Sequence, residues 1–174
     1  MKTINKIALS ASSFLLLLIL LLNNSSCGIY SFSGASIPDS IKTVKVNYID
    51  NKAQYINPQL SQKLTEKLRQ KIVGQTKLNQ TNNENPDWEI SGTIREYTFS
   101  TSAISGQQVA TNRLTVTVHI TLNKRKDDTV KEYDVTRSFE FKGNQSFQQA
   151  EAALGDEMIR TLTDEIFNKL FSDW

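Results

Sequence analysis

The sequence has few of the residues that disulfide-bonded, low-complexity or catalytic proteins need. Its 174 residues include one cysteine, one histidine, three prolines and seven glycines. A single cysteine cannot form an internal disulfide, and so few prolines and glycines exclude a collagen-like or low-complexity chain. The hydrophobic fraction of 39% and the charged fraction of 22% are those of a globular protein. A chain of this length usually forms a single domain.

An excess of charge is also missing. The formal net charge is +2 at pH 7. Lys2 and Lys6 account for it, because residues 1–26 hold no acid and the rest of the chain carries 18 basic and 18 acidic residues. A balanced domain argues against a nucleic-acid binder, which is usually strongly basic.

The common catalytic and metal-binding motifs are absent from the sequence. No serine lies in a G-x-S-x-G motif, and no glycine-rich phosphate-binding loop occurs. His119 falls on the polar side of a predicted strand, among threonines, and one histidine with one cysteine cannot form the usual zinc site. We therefore predict a protein that is not an enzyme and has no metal or cofactor.

The chain begins with a segment typical of exported proteins. The two lysines precede an unbroken apolar run over residues 14–22, and the sequence NNSS then leads to Cys27. This order is typical of a secretory signal peptide. The run is shorter than the roughly 20 residues of a spanning helix, although a retained membrane anchor is the alternative interpretation.

Cys27 follows this leader directly, and its position resembles the cleavage site of bacterial lipoproteins. Asn24 stands where such sites usually have leucine. In lipoproteins the cysteine becomes the lipidated first residue. We predict a lipoprotein signal peptide over residues 1–26, a covalent lipid on Cys27, and a Ser- and Gly-rich tether over residues 27–40. The alternative is a soluble exported protein with a free thiol.

Two later segments have the periodicity of amphipathic helices. The first begins at Asn57-Pro58, because asparagine is a common N-cap and proline suits the first helical position. Gly74 stands where its C-cap belongs. The apolar face repeats every four residues, at Leu60, Leu64, Leu68 and Ile72. The second helix is predicted from about Gln148 to Phe171.

Three aromatic residues lie beside the apolar arc of the second helix. Phe167, Phe171 and Trp174 are rotated off that arc by roughly a quarter-turn. They either wrap the end of the sheet or form a surface for a partner.

Alternation of apolar and polar residues predicts the strands. The first strand has Val44, Val46 and Tyr48 on one side, and another begins at Trp88. The clearest alternation covers residues 114–122, and a polar turn then leads to a further strand, whereas residues 100–111 have the composition of a loop. We predict an α+β fold in residues 41–174, with two helices on one face of a mostly antiparallel four- to five-stranded sheet. The Thr-rich face of the last hairpin would remain uncovered.

Two clusters of basic residues are candidates for binding phosphate. Lys124, Arg125 and Lys126 occupy the turn between the last two strands, and lysine and arginine are the usual phosphate ligands. The alternative is a charged hairpin tip that limits edge pairing. A second stripe lies on the first helix, at Lys63, Lys67 and Lys71, and is either a solvated flank or a contact to lipid phosphate.

Several stretches together resemble the LptE family of lipopolysaccharide-assembly lipoproteins. They are residues 27–34 (CGIYSFSG), 58–68, 92–97, 112–118 (NRLTVTV) and 166–168 with Trp174. These stretches cover nearly the whole exported domain in order.

The resemblance implies an α+β sandwich anchored in the outer membrane and facing the periplasm. It also implies a complex with an LptD-type barrel, in which this subunit is a plug and assembly partner, and contact with lipopolysaccharide. The alternative function is a stand-alone lipoprotein that binds an anionic lipid or another envelope partner.

Overall fold

A computed structural model of the chain describes residues 37–105 and 108–172. Its elements follow in the order strand, helix, short strand, three long strands, helix. The strands are β1 (Thr43–Asn51), β2 (Asn79–Gln80), β3 (Trp88–Ser105), β4 (Gln108–Lys124) and β5 (Thr129–Lys142). The helices are α1 (Pro58–Gln75) and α2 (Phe147–Phe171), and a single 3₁₀ turn (Arg125–Asp127) joins β4 to β5.

Helix α1 begins where the sequence predicts. The Asn57 side chain accepts a 3.1 Å hydrogen bond from the Leu60 amide, and Pro58 occupies the first turn. The predicted C-cap at Gly74 is wrong, because the helix continues to Gln75. Thr76 ends it instead, since both its amide and its hydroxyl donate to the Ile72 carbonyl.

Helix α2 starts one residue before the predicted position. Ser146 and Gln149 form a capping box, in which each side chain accepts a hydrogen bond from the other residue's backbone amide. The helix runs without a break through Gly155 to Phe171.

The α+β class and the two helices on one face of the sheet are confirmed. The strand order is β2-β1-β3-β4-β5. The sheet is mixed rather than mostly antiparallel, because β1 pairs in parallel with both β2 and β3. The reason is the helical crossover through α1, which returns the chain to the same end of the sheet before the next strand begins.

One hydrophobic core lies between the sheet and the two helices. Its fully buried members include Trp88 and Tyr97 from β3 and Leu64 from α1. The predicted apolar face of α1 is entirely buried, and Met158, Leu162 and Ile166 of α2 face the same core. Alternate residues of β4 from Leu114 to Leu122 form the centre of the sheet side.

A bulge in β1 overturns the predicted orientation of Tyr48. The pairing of β1 with β3 shifts between Val46 and Ile49, so Ile49 points inward and the Tyr48 side chain is exposed. Helix α1 satisfies the backbone groups that the bulge frees. Thr65 Oγ1 accepts from the Ile49 amide at 3.0 Å, and Arg69 donates to the Val46 carbonyl at 2.7 Å.

The predicted loop over residues 100–111 is strand over most of its length. β3 extends to Ser105 and β4 begins at Gln108, so the two form a long antiparallel hairpin. It projects beyond the neighbouring strands, because β1 pairs with β3 only as far as Ile94 and β5 pairs with β4 only as far as Thr111. Because this part of the hairpin lacks neighbouring strands, its sequence has no alternation of apolar and polar residues, and it therefore resembles a loop.

Candidate ligand and partner surfaces

The basic hairpin tip is engaged with its own domain. Lys124 Nζ lies 4.8 Å from the centroid of the Trp88 ring. Arg125 pairs with Glu89 at 2.6 Å, and Lys126 pairs with Asp87 at 2.9 Å. The pairing of Trp88 with Lys124 brings these groups together, because it places the start of β3 beside the end of β4.

Asp87 is the centre of this end of the domain. Its carboxylate also accepts from the backbone amides of Lys42 and Thr43, at 2.7 and 2.9 Å. The hydrogen bond from Lys126 and then these amides hold the pKa of Asp87 well below its usual range. Hydrogen bonds from Arg125 and then Asn47 likewise lower the pKa of Glu89. The tip cations thus stabilise two carboxylates, and phosphate binding by them stays a prediction.

The aromatic residues predicted for a partner surface lie mostly in the core. Phe167 and Phe171 are each 3% exposed. Phe171 stacks on Trp88 with centroids 6.0 Å apart, and Lys71 Nζ lies 5.1 Å from the centroid of Phe167. These two rings wrap the end of the sheet, which was the other alternative, and are not available to a partner. Trp174 lies outside the described residues, as does Cys27.

The sheet face opposite the helices is covered by hydroxyl and charged side chains. Thr117 and Thr136 bond to each other across β4 and β5 at 3.0 Å, and Thr115 bonds to Ser138 at 3.0 Å. Ion pairs lie beside these cross-strand hydrogen bonds, and one of them joins Arg113 to Glu140 at 2.9 Å. The surface is polar, because outward residues alternate with the buried core residues of the same strands.

His119 belongs to this polar face, as its strand parity predicts. Its Nδ1 lies 2.8 Å from Asp134 Oδ1, and Arg95 approaches the same carboxylate at 3.5 Å. No nucleophilic side chain bonds to the histidine in the described part of the chain. Within residues 37–105 and 108–172 no three Asp, Glu, His or Cys side chains are grouped closely enough to hold a metal ion.

A carboxylate surrounded by aromatic rings joins the helices at the other end of the domain. Glu151 of α2 accepts from Tyr97 at 2.7 Å and from Asn57 at 2.8 Å, and the Tyr55 hydroxyl lies 3.3 Å away. Burial and then the bond to Glu151 raise the pKa of Tyr97. The sequence gives no signal for this cluster, since 54 residues separate Glu151 from Tyr97.

Beside this cluster a groove runs between α1 and α2, which we call the interhelical groove. Its first half holds about 410 Å³ and is lined by Tyr55, Ile56, Leu60, Ala152 and Gly155, among others. Its second half has a similar volume and is lined mainly by Lys67, Gln70 and Arg160. Lys63, Asp156 and Ile159 line both halves.

The family model for LptE, described as lipopolysaccharide-assembly, matches residues 41–170. The chain belongs to the LptE family. This LptE-family chain is therefore an envelope lipoprotein associated with the lipopolysaccharide transport machinery, and the family is not one of enzymes. No curated protein matches the sequence. Among the helices that the structure describes, none is long and apolar enough to cross a membrane.

Three solved structures are similar to this LptE-family chain. Rare lipoprotein B from Shewanella oneidensis aligns with a TM-score of 0.51 and 13% identity, over 74% of this chain and 93% of the other. A minor lipoprotein from Acinetobacter baumannii aligns with a TM-score of 0.46 and 14% identity, over 76% and 98% of the two chains. The PelC dodecamer from Paraburkholderia phytofirmans gives a TM-score of 0.46 and 13% identity, over 76% and 88%.

Proposed function

We propose that this protein is the plug and assembly partner of an LptD-type barrel in the outer membrane. In this proposal a lipid on Cys27 anchors the chain in the outer membrane, the domain faces the periplasm, and the complex handles lipopolysaccharide. Membership of the LptE family supports this assignment.

The observation that carries the proposal is the uncovered polar face of β3, β4 and β5. A surface meant for lipid or for a hydrophobic partner would expose apolar side chains, whereas this one exposes Thr136, Ser138 and Asp134. The interior of a large membrane barrel is polar. Hydroxyl groups and paired charges suit such a wall, because they can exchange hydrogen bonds with it without desolvating an unpaired charge.

Isolation of the complex from native membranes tests this function. After mild detergent extraction, the protein should co-purify with a large barrel in fixed stoichiometry. Recovery of the protein as a lone monomer would overturn the proposal.

Two sets of variants test the role of the face. Thr136→Arg with Ser138→Arg places two bulky charges on it, and should lower barrel recovery about tenfold, equivalent to about 1.4 kcal/mol of binding free energy. Gln62→Arg with Ala153→Arg makes the same change on exposed positions of the helices and should leave recovery unchanged. Equal losses in both sets would show that the sheet face has no special role.

A further inference from the structure

We propose that the interhelical groove binds a single membrane lipid whose phosphate-containing head group has a net negative charge, with an acyl chain on its apolar floor and the head group on its basic rim. The proposal goes beyond barrel association, because it gives the isolated subunit a lipid site of its own.

The basic rim differs from the hairpin tip in how its charges are used. Lys63, Lys67 and Arg160 line the groove, and none of the three forms an ion pair within residues 37–105 and 108–172. Lys71, the third lysine of the predicted stripe, pairs with Asp164 at 2.8 Å and is not part of the rim. Three cations without ion-pair partners suit a phosphate, which takes several charge-assisted hydrogen bonds from such groups.

The acidic residues near the rim only partly offset this charge. Glu66 is paired with Arg69 at 2.9 Å, and the Glu151 carboxylate already accepts hydrogen bonds from Tyr97 and Asn57. Asp156 is the acid that lines both halves of the groove. It therefore opposes an anionic ligand, and the sign of its effect can be tested.

The floor of the groove includes apolar side chains from both helices. Leu60, Met158 and Ile159 lie beneath it, and Ile56 at its mouth is 60% exposed. The space above Gly155 is open, since a Cβ placed there would meet nothing within 4 Å. Each half of the groove holds about 410 Å³, within the roughly 300–1,000 Å³ range of small-molecule sites. An amphiphile matches both parts of the surface, whereas inorganic phosphate would leave the floor unused.

Native mass spectrometry of the complete lipoprotein tests the site, with phosphatidylglycerol as the probe and zwitterionic phosphatidylcholine as the comparison. The wild-type protein should retain one phosphatidylglycerol and much less phosphatidylcholine. Lys63→Glu with Lys67→Glu and Arg160→Glu should weaken retention about tenfold or more. The matched reversal of Lys52, Lys131 and Lys142, three exposed lysines away from the groove, to Glu should leave retention within about twofold of wild type. Equal losses in the two triple variants would overturn the proposal.

Two single variants separate the contributions of charge and space. Asp156→Asn should increase retention of the anionic lipid, because it removes the opposing charge. Gly155→Leu should decrease retention of both lipids, because it fills the floor without changing any charge. An effect of the opposite sign in either variant, or no lipid retained by the wild type, would contradict the proposal.

Barrel co-purification of the same variants distinguishes this proposal from the proposed function. Loss of lipid retention with normal barrel recovery is the expected result for the groove variants, and it also shows that they fold. Lipid retention by a protein that recovers no barrel would overturn the plug assignment and leave the groove site standing.

Discussion

The hydroxyl of Tyr97 donates a 2.7 Å hydrogen bond to Glu151 Oε1 and thereby joins β3 to α2. Glu151 also accepts from Asn57, whose own side chain caps α1. One carboxylate thus connects a strand and the beginnings of both helices. Stacking of Tyr55 on Tyr97, with centroids 5.6 Å apart, shields the bond from water on one side.

Tyr97→Phe should destabilise the domain by about 1–3 kcal/mol, because the ring stays in place while a half-buried carboxylate loses its shortest donor. Chemical denaturation of the variant and the wild type measures the change in the free energy of unfolding. The double variant Tyr97→Phe, Glu151→Gln should recover part of the loss, since the amide carries no charge. A wild-type midpoint for Tyr97→Phe alone would show that the bond does not contribute.

Asp87 predicts how stability depends on pH. Its pKa is lower in the folded protein than its ordinary value of 3.8, so its contribution is fully present above about pH 5 and is lost as the pH falls through the folded value. The difference in unfolding free energy between the wild type and Asp87→Asn should be constant from about pH 5 to 7 and shrink below pH 4. A difference that does not change over this range would contradict the role of the ionised carboxylate.

The bulge in β1 depends on two side chains of α1. Thr65→Val leaves the Ile49 amide without its acceptor, and Arg69→Met removes the donors to the Val46 carbonyl. Each should cost about 1–3 kcal/mol, the usual penalty for a buried backbone group that loses its partner. Lys67→Met is the matched control on the same helix and should change stability by less than about 0.5 kcal/mol. Thermal unfolding that does not separate Arg69→Met from this control would contradict the assignment.

Two glycines should respond in opposite directions to alanine. A Cβ at Gly92 would lie 2.8 Å from Ile120 Cδ1 and 3.2 Å from Ile49 Cγ1, so Gly92→Ala should destabilise the domain by about 1–3 kcal/mol through overpacking. At Gly155, in the middle of α2, the same change meets open space and should stabilise the helix by about 0.5–1 kcal/mol. Denaturant midpoints should therefore move down for the first variant and up for the second.

The parts of the fold that depend on local chemistry could be predicted from the sequence. The start of α1 at Asn57-Pro58 could be predicted because capping involves only neighbouring residues. The strand β4 could be predicted because, over residues 114–122, its apolar residues all face the core and its polar residues all face outward. Tyr48 is predicted to face inward and does not, because the bulge that turns it is set by contacts with α1. The parallel pairing of β1 with β3 follows from the strand-helix-strand order of the first half of the chain. The prediction of a mostly antiparallel sheet rested on the hairpin pattern of the later strands, which does not apply to β1.

The surfaces were less predictable than the fold. Three consecutive cations predict an anion site when only the sequence is considered. In the fold, the register of β3 and β4 places Asp87 and Glu89 beside these cations and pairs two of them. Lys63 and Lys67 are also closely spaced cations, but they line a groove between two helices. The other wall of this groove is formed by Asp156 and Arg160, about 90 residues further along the chain. The sequence of either helix alone therefore does not predict the groove.

The parallel pairing of β1 also has a consequence for how the protein forms after export. Val44 lies beside Trp88, so β1 lacks its long partner strand β3 until 44 further residues have been added to the chain, and the two-residue β2 is its neighbour before that. The β3–β4 and β4–β5 hairpins, by contrast, join segments that are close in sequence and can assemble early. We therefore expect the three-stranded antiparallel part to form first, with the first strand and its helix added afterwards. During that interval the edge of β3 is open, and it is the segment most exposed to pairing with another chain.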